Sequence, residues 1–184
     1  MFVLYRYLSY LVSPLLARVV RNRVKKGKED PVRFQERFGR TTVKRSSNNL
    51  IWVHAISVGE ANSTLPLISA LRKTYAASDI LVTTGTKTSA DLMADLLPEG
   101  VIHQYVPVDC IIWVRRFFDH WEPNAIIWME SELWPNMMSE IDKRSIPAAL
   151  VNARFSNQTI NRWLKVSFLS QHLLKVFDLS LIHI

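Results

Sequence analysis

The sequence predicts an α/β domain built on a doubly wound parallel sheet, and three observations predict it. From Leu50 onward, short apolar runs alternate with stretches of helical periodicity. The runs are continuously apolar rather than alternating in polarity, as expected of strands covered by helices on both faces. Polar, hydroxyl-rich segments follow the runs at one edge, where open parallel sheets bind their ligands.

The elements follow in order. LIWVHA (50–55) reads as the first strand and is followed by a helical pattern from Glu60 to Thr74. DILVTT (79–84) precedes helical residues 87–97, and VIHQYV (101–106) precedes a helix over 111–120. AIIWME (125–130) leads to a helix over about 134–144. PAALVNA (147–153) leads to a long amphipathic stretch from about Thr159 to Val176, and LSLIHI (179–184) supplies a sixth strand. Right-handed crossovers are expected throughout.

Upstream of this body, residues 29–49 are polar and turn-rich and read as a connector. Within them Pro31 can open a short helix, VRFQERF, and Gly39 can close it. Residues 1–28 read as a membrane anchor with a basic flank. The first 20 residues carry only Arg6 and Arg18 as charges, include Tyr5, Tyr7 and Tyr10, and run into Arg21, Arg23, Lys25, Lys26 and Lys28. Tyrosines suit the headgroup level, and the basic cluster suits anionic lipid on the cytoplasmic side of an inner membrane. A spanning helix needs about 20 apolar residues, so spanning and lying in the interface both stay open. The alternative is an amphipathic helix packed on the body. A cleaved signal peptide fits poorly, because the charge follows the apolar stretch and no A-x-A site comes after it. The domain reading is therefore 1–28 anchor, 29–49 connector and 50–184 α/β domain.

Charge supports this division. The chain of 184 residues has a net charge of +7, but residues 1–45 hold 12 Lys/Arg against 3 Asp/Glu, and residues 46–184 hold 11 against 13. The basicity belongs to the arm. Nucleic acid is not expected as a partner, because the basic residues sit beside an apolar run rather than among exposed aromatics. The single cysteine, Cys110, excludes a disulfide framework and a multi-cysteine zinc site. The five glycines spell neither GxGxxG nor GxxxxGK, and no HExxH occurs. No metal or cofactor is implied.

Candidate site residues lie where strands end. Glu60 enters a helix behind Gly59, which permits turns other residues resist, and Ser57 precedes both. A carboxylate there can accept a proton from a substrate hydroxyl, or can serve simply as a first-turn helix acid. Glu130 and Glu132 close the fourth strand on one side of the chain and can orient a ligand or perturb each other. They can equally be one exposed acid and one cap. Asn136 follows in WPN. Thr84, Thr86 and Lys87, in TTGTKTS, offer hydroxyls and a cation at a helix start, suited to phosphate. Arg154, after Asn152, offers a fork for carboxylate or phosphate. Capping and surface ion pairs are the alternatives for each. His54 and His103 read as packed histidines, and Cys110 as a small buried side chain.

Taken together, RFG (37–39), IWVHAISVGE (51–60), PLI (66–68), ILVTTGTKTS (80–89), HQYVPVD (103–109), ESELWPN (130–136) and NARFS (152–156) resemble the N-terminal half of the bacterial 3-deoxy-D-manno-octulosonic acid (Kdo) transferases. The resemblance covers essentially residues 1–180. It implies a Rossmann-like N-terminal domain of an inverting glycosyltransferase of GT-B type, with a lipid A precursor as acceptor and CMP-Kdo as donor. It implies Glu60 as the catalytic base and Glu130 as a second carboxylate that stabilises the transition state. Ser57, Gly59, Thr84, Thr86, Lys87, Glu132, Asn136 and Arg154 are then candidate substrate contacts, without metal or cofactor. Ser89 stands where relatives often have glycine. Because the donor is held by a second α/β domain in that family, residues 1–184 alone are expected to be inactive. Two alternatives remain: a membrane-attached module that holds a phosphorylated lipid without chemistry, or a transferase for another nucleotide sugar.

Overall fold

A computed structural model describes residues 2–129, 133–154 and 175–183. Its sheet contains the strands β1 (Leu50–His54), β2 (Asp79–Thr84), β3 (Val101–Tyr105), β4 (Ala125–Met129), β5 (Ala148–Arg154) and β6 (Leu179–His183). Every described pairing is parallel, and the strand order is β3-β2-β1-β4-β5-β6. The order reverses between β1 and β4, and that switch point is where an open α/β sheet leaves a crevice at its carboxyl edge.

Helices cover both faces. α3 (Val58–Thr74) and α4 (Lys87–Leu96) pack on one face, and α5 (Ile111–Trp121) and α6 (Pro135–Lys143) on the other. Alternation along β1 shows the division. Leu50 and Trp52 join Phe117, Phe118, Trp121, Trp128 and Met137 in one core, while Val53 and Ala55 join Ala61, Ile68, Ile80, Val82 and Met93 in the other. Side chains of successive strand residues point to opposite faces, so continuous apolar strands feed both layers. In β5 the pairing with β6 shifts register between Leu150 and Ala153, where Asn152 has φ of 56°. The amphipathic stretch expected over 159–176 lies largely outside the described residues.

The N-terminal arm differs from a single membrane helix. It forms α1 (Phe2–Leu11) and α2 (Ser13–Lys25), broken at Val12 just before Pro14. Pro14 lacks the N–H that would continue the helical ladder across the break. Among the described residues no helix is long and apolar enough to cross a membrane. α1 instead docks on the body. The Tyr5 hydroxyl donates to Asp109 Oδ2 (3.0 Å), Arg6 donates to the Ser139 hydroxyl (2.7 Å), and Cys110 Sγ donates to the Ser9 carbonyl (3.2 Å). The outward side of the arm nevertheless exposes Val3, Leu4, Tyr7, Leu8, Tyr10, Leu11, Val12, Leu15 and Val19.

The connector is more than a joining segment. Its short helix is a 3-10 turn, Phe34–Phe38, ended by Gly39 at φ of 67°. A Cβ at Gly39 would lie 2.2 Å from the Trp113 carbonyl oxygen, so this end of the connector is pressed against the backbone of α5.

Candidate active site

The β1–α3 turn holds the acid that the sequence singles out. Ser57 caps α3: its hydroxyl accepts from the Glu60 amide (3.3 Å) and donates to Glu60 Oε1 (2.8 Å). Glu60 Oε2 accepts from the amides of Ile56 (2.7 Å) and Ser57 (3.3 Å). This is a capping box, which satisfies helix-end donors reciprocally. A carboxylate offers roughly four acceptor positions. Three are filled by its own turn, which leaves Oε1 able to receive one more donor. The half-buried Glu60 thus has its orientation fixed and one position free.

Gly59 beside it corrects an expectation. Its backbone is not left-handed; it sits exposed in the first turn of α3, and a Cβ there would meet nothing within 4 Å. The turn does not require glycine. The space on that side of the turn is open.

The β2–α4 turn adjoins this one. Gly85 donates its amide to the Ile56 carbonyl (3.0 Å), and the Ser89 hydroxyl reaches the same carbonyl (3.3 Å). Thr86 is exposed and caps α4 by accepting from the Ser89 amide (3.0 Å). Lys87 reaches Asp91 (2.7 Å), whose carboxylate raises the lysine pKa. Thr84 is buried, with its hydroxyl 3.0 Å from His103 Nε2, so it serves the strand end and does not face solvent. Asn136 is also internal: it donates to the Ser9 hydroxyl (3.1 Å) and to the Asp109 carbonyl (2.9 Å), tying α1 to the start of α6. Asp109 caps α6 through the amides of Asn136 and Met137, and burial pushes its carboxyl up to about 6. Glu130 and Glu132 lie outside the described residues. Arg154 ends β5.

Ser57, Gly59, Glu60 and Thr86 therefore gather at one edge beside the switch point, and β4 ends at Met129 on the other side of that point. His54, at the end of β1, is fully buried, and burial holds its ring down at about 3, so it stays neutral. Its ring lies 4.0 Å from that of Trp128, and its Nδ1 is 2.8 Å from the Thr83 hydroxyl. Among the described residues no group of three His, Cys, Asp or Glu side chains can hold a metal ion.

Sequence reasoning missed the connector's share in this edge. Arg37 is buried, pairs with Glu29 (3.0 Å), and donates to the carbonyls of Gly85 (2.7 Å) and Val106 (3.1 Å). Arg33 donates to the His103 carbonyl (2.9 Å), and Glu36 accepts from the Tyr105 amide (2.7 Å). The available signal was acids and arginines interleaved with phenylalanine in EDPVRFQERFG.

Residues 32–183 match the family described as 3-deoxy-D-manno-octulosonic-acid transferase (kdotransferase). A probable 3-deoxy-D-manno-octulosonic acid transferase, mitochondrial, of Arabidopsis thaliana is 42% identical over 160 residues, covering 87% of this chain and 36% of that protein. A 3-deoxy-D-manno-octulosonic acid transferase of Rickettsia bellii is 37% identical over 175 residues, covering 95% of this chain and 42% of that protein. One of Haemophilus influenzae is 35% identical over 116 residues, 63% of this chain and 27% of that protein. The chain thus spans less than half the length of these relatives. Among solved structures, a UDP-N-acetylglucosamine 2-epimerase aligns with TM-score 0.52 at 14% identity, covering 76% of this chain and 40% of that one, a likeness of fold alone.

Proposed function

The chain belongs to the Kdo transferase family through its N-terminal domain, and on that premise we propose that it is the acceptor-binding half of an inverting GT-B glycosyltransferase. In this reading the enzyme moves Kdo from CMP-Kdo to a lipid A precursor. The observation that carries the reading is Glu60: a carboxylate oriented by three donors of its own turn, with one position free, beside the switch point of the sheet.

The chemistry follows from that geometry. A sugar hydroxyl of the acceptor donates to Glu60 Oε1 across the open space at Gly59. As the hydroxyl oxygen forms its bond to the anomeric carbon of Kdo, Glu60 takes the proton. The bond from that carbon to the CMP phosphate oxygen breaks, and CMP leaves with the electron pair. Attack opposite the leaving group inverts the centre. Glu130 acts as a second carboxylate near the developing positive charge of the sugar. Thr86 and Lys87, at the start of α4, suit an anionic group of the acceptor, and Arg154 suits another. A second α/β domain holds CMP-Kdo, consistent with the greater length of the relatives, so residues 1–184 alone do not catalyse transfer.

The arm, through its exposed apolar side chains, supports attachment of this half to a membrane. Its broken helices support an in-plane attachment, with the exposed apolar side chains in the interface and the basic flank against anionic lipid on the cytoplasmic face of the inner membrane. The test is transfer of labelled Kdo from CMP-Kdo to lipid A precursor by the full-length enzyme. Product formed with CMP-Kdo and not with UDP-sugars supports the reading. Acceptor binding without turnover would favour a lipid-holding module instead.

A further inference from the structure

We propose that Arg37, held by Glu29, is a positioning residue for Glu60, acting through the Gly85 turn. A continuous series of hydrogen bonds joins them. Arg37 Nε donates to Glu29 Oε2 (3.0 Å), and Arg37 Nη2 donates to the Gly85 carbonyl (2.7 Å). The Gly85 amide donates to the Ile56 carbonyl (3.0 Å), and the Ile56 amide donates to Glu60 Oε2 (2.7 Å). Each link is shorter than or equal to an ordinary N–H···O bond, and the first two involve charge.

The surroundings make the series stiff. Arg37 and Glu29 are 5% and 4% exposed, and Glu29 Oε1 takes a second arginine, Arg23 (2.9 Å). Arg37 Nη1 also donates to the Val106 carbonyl (3.1 Å), and the guanidinium lies 4.6 Å from the centre of the Tyr105 ring. A Cβ on Gly85 would lie 2.7 Å from Ile56 Cγ2, so glycine is what allows the two site loops to approach this closely. The planar fork of arginine serves Glu29, Gly85 and Val106 together, whereas the single ammonium of lysine can keep the ion pair but not the whole set. The connector therefore reaches over the carboxyl ends of β2 and β3 and fixes, two loops away, the peptide that orients the acid.

This inference rests on the reading of Glu60 as base only for its catalytic consequence, and the two are tested apart. In Arg37→Lys, amide exchange at Gly85 and Ile56 is expected to quicken about tenfold or more, while the Ile126 amide, bonded to the Pro147 carbonyl within the sheet, keeps its rate. In the full-length transferase the same variant is expected to lose about tenfold or more in kcat, with acceptor KM within about threefold, because a misplaced base costs rate rather than binding. Unchanged protection at Ile56, equal acceleration at Ile126, or an unchanged kcat beside a Glu60→Gln variant that is inactive would overturn the proposal. If Glu60→Gln keeps its turnover while Ile56 and Gly85 loosen in Arg37→Lys, the base reading fails and the brace stands. Should Arg37→Lys not fold, native-state exchange of the unaltered chain decides. Opening of the Gly85 and Ile56 amides in one denaturant-dependent event supports the proposal, and independent opening overturns it.

Discussion

Two glycines in the shared motifs should respond to alanine in opposite ways, and the structure sets both magnitudes. Gly59 lies exposed in the first turn of α3, and a methyl carbon placed there would have no atom within 4 Å. Alanine there should stabilise the helix by about 0.5–1 kcal/mol. Gly39 has φ of +67°, and a Cβ would lie 2.2 Å from the Trp113 carbonyl oxygen and 3.1 Å from the Phe117 amide nitrogen. The left-handed backbone costs alanine about 1–2 kcal/mol. Relieving the overlap against the backbone of α5 costs about 1–3 kcal/mol more. A loss of roughly 2–5 kcal/mol is a large part of the 5–15 kcal/mol that holds a typical domain. Urea unfolding followed by tryptophan fluorescence measures both, compared by midpoint at equal m. A Gly39→Ala variant that loses under about 1 kcal/mol would refute the packing argument, given the size expected for overpacking against main chain. A Gly59→Ala variant that loses as much as Gly39→Ala would refute the account of the open turn. If the acceptor approaches Glu60 across that space, Gly59→Ala should also lower kcat/KM for acceptor in the full-length enzyme while leaving the fold more stable.

Acid should weaken the fold in a defined window. Burial lowers His54 to about 3, and burial with Arg33 and Arg37 lowers His103 to about 3, from 6.5. Below pH 6.5 the unfolded chain takes up these two protons and the folded chain does not, so stability falls as pH falls. Asp109 acts in the opposite sense between about 6 and 3.8, because its folded carboxyl keeps a proton that the unfolded one releases. About one net proton remains, or roughly 1.4 kcal/mol lost per pH unit from about pH 6 to about pH 4, and Asp109→Asn should steepen the slope. A urea midpoint that rises as the pH is lowered over that range would sink this reasoning. At the membrane, Leu4→Glu with Leu11→Glu should cut binding to vesicles containing anionic lipid by about a hundredfold or more, since each leucine contributes about 1.5–3 kcal/mol when buried. These side chains are 63% and 69% exposed, so the unfolding midpoint should not move, and undiminished vesicle binding would contradict in-plane attachment.

What could be read from the sequence was set locally. All six strands appear where apolar runs placed them; the inner four lie between neighbours with helices on both faces and have no polar alternation to hide their ends, while the edge strand β6 starts at the exposed Leu179. The capping box at Ser57 and Glu60 was equally local, and the first-turn reading of Glu60 proved compatible with a free acceptor position. Gly59 was read for backbone freedom, yet the helix simply begins at Val58 and engulfs it. Pro14 carried the signal for the break in the arm, but apolarity and charge order dominated the reading of residues 1–28. Asn136 and Thr84 could not be separated from their exposed neighbours, because burial at a strand end depends on which distant element covers it. For the same reason Arg37 was invisible as a brace: only the folded chain brings residue 37 against the carbonyls of residues 85 and 106.

If Glu60 takes the acceptor proton, Glu60→Gln in the full-length transferase removes the base. Glutamine keeps the size of the side chain and one carbonyl oxygen to accept from the Ile56 amide, but it cannot take a proton. In that variant kcat should fall by about 10²-fold or more, in the range of general-base contributions, with acceptor binding largely kept. Turnover close to that of the unaltered enzyme would contradict that role for Glu60.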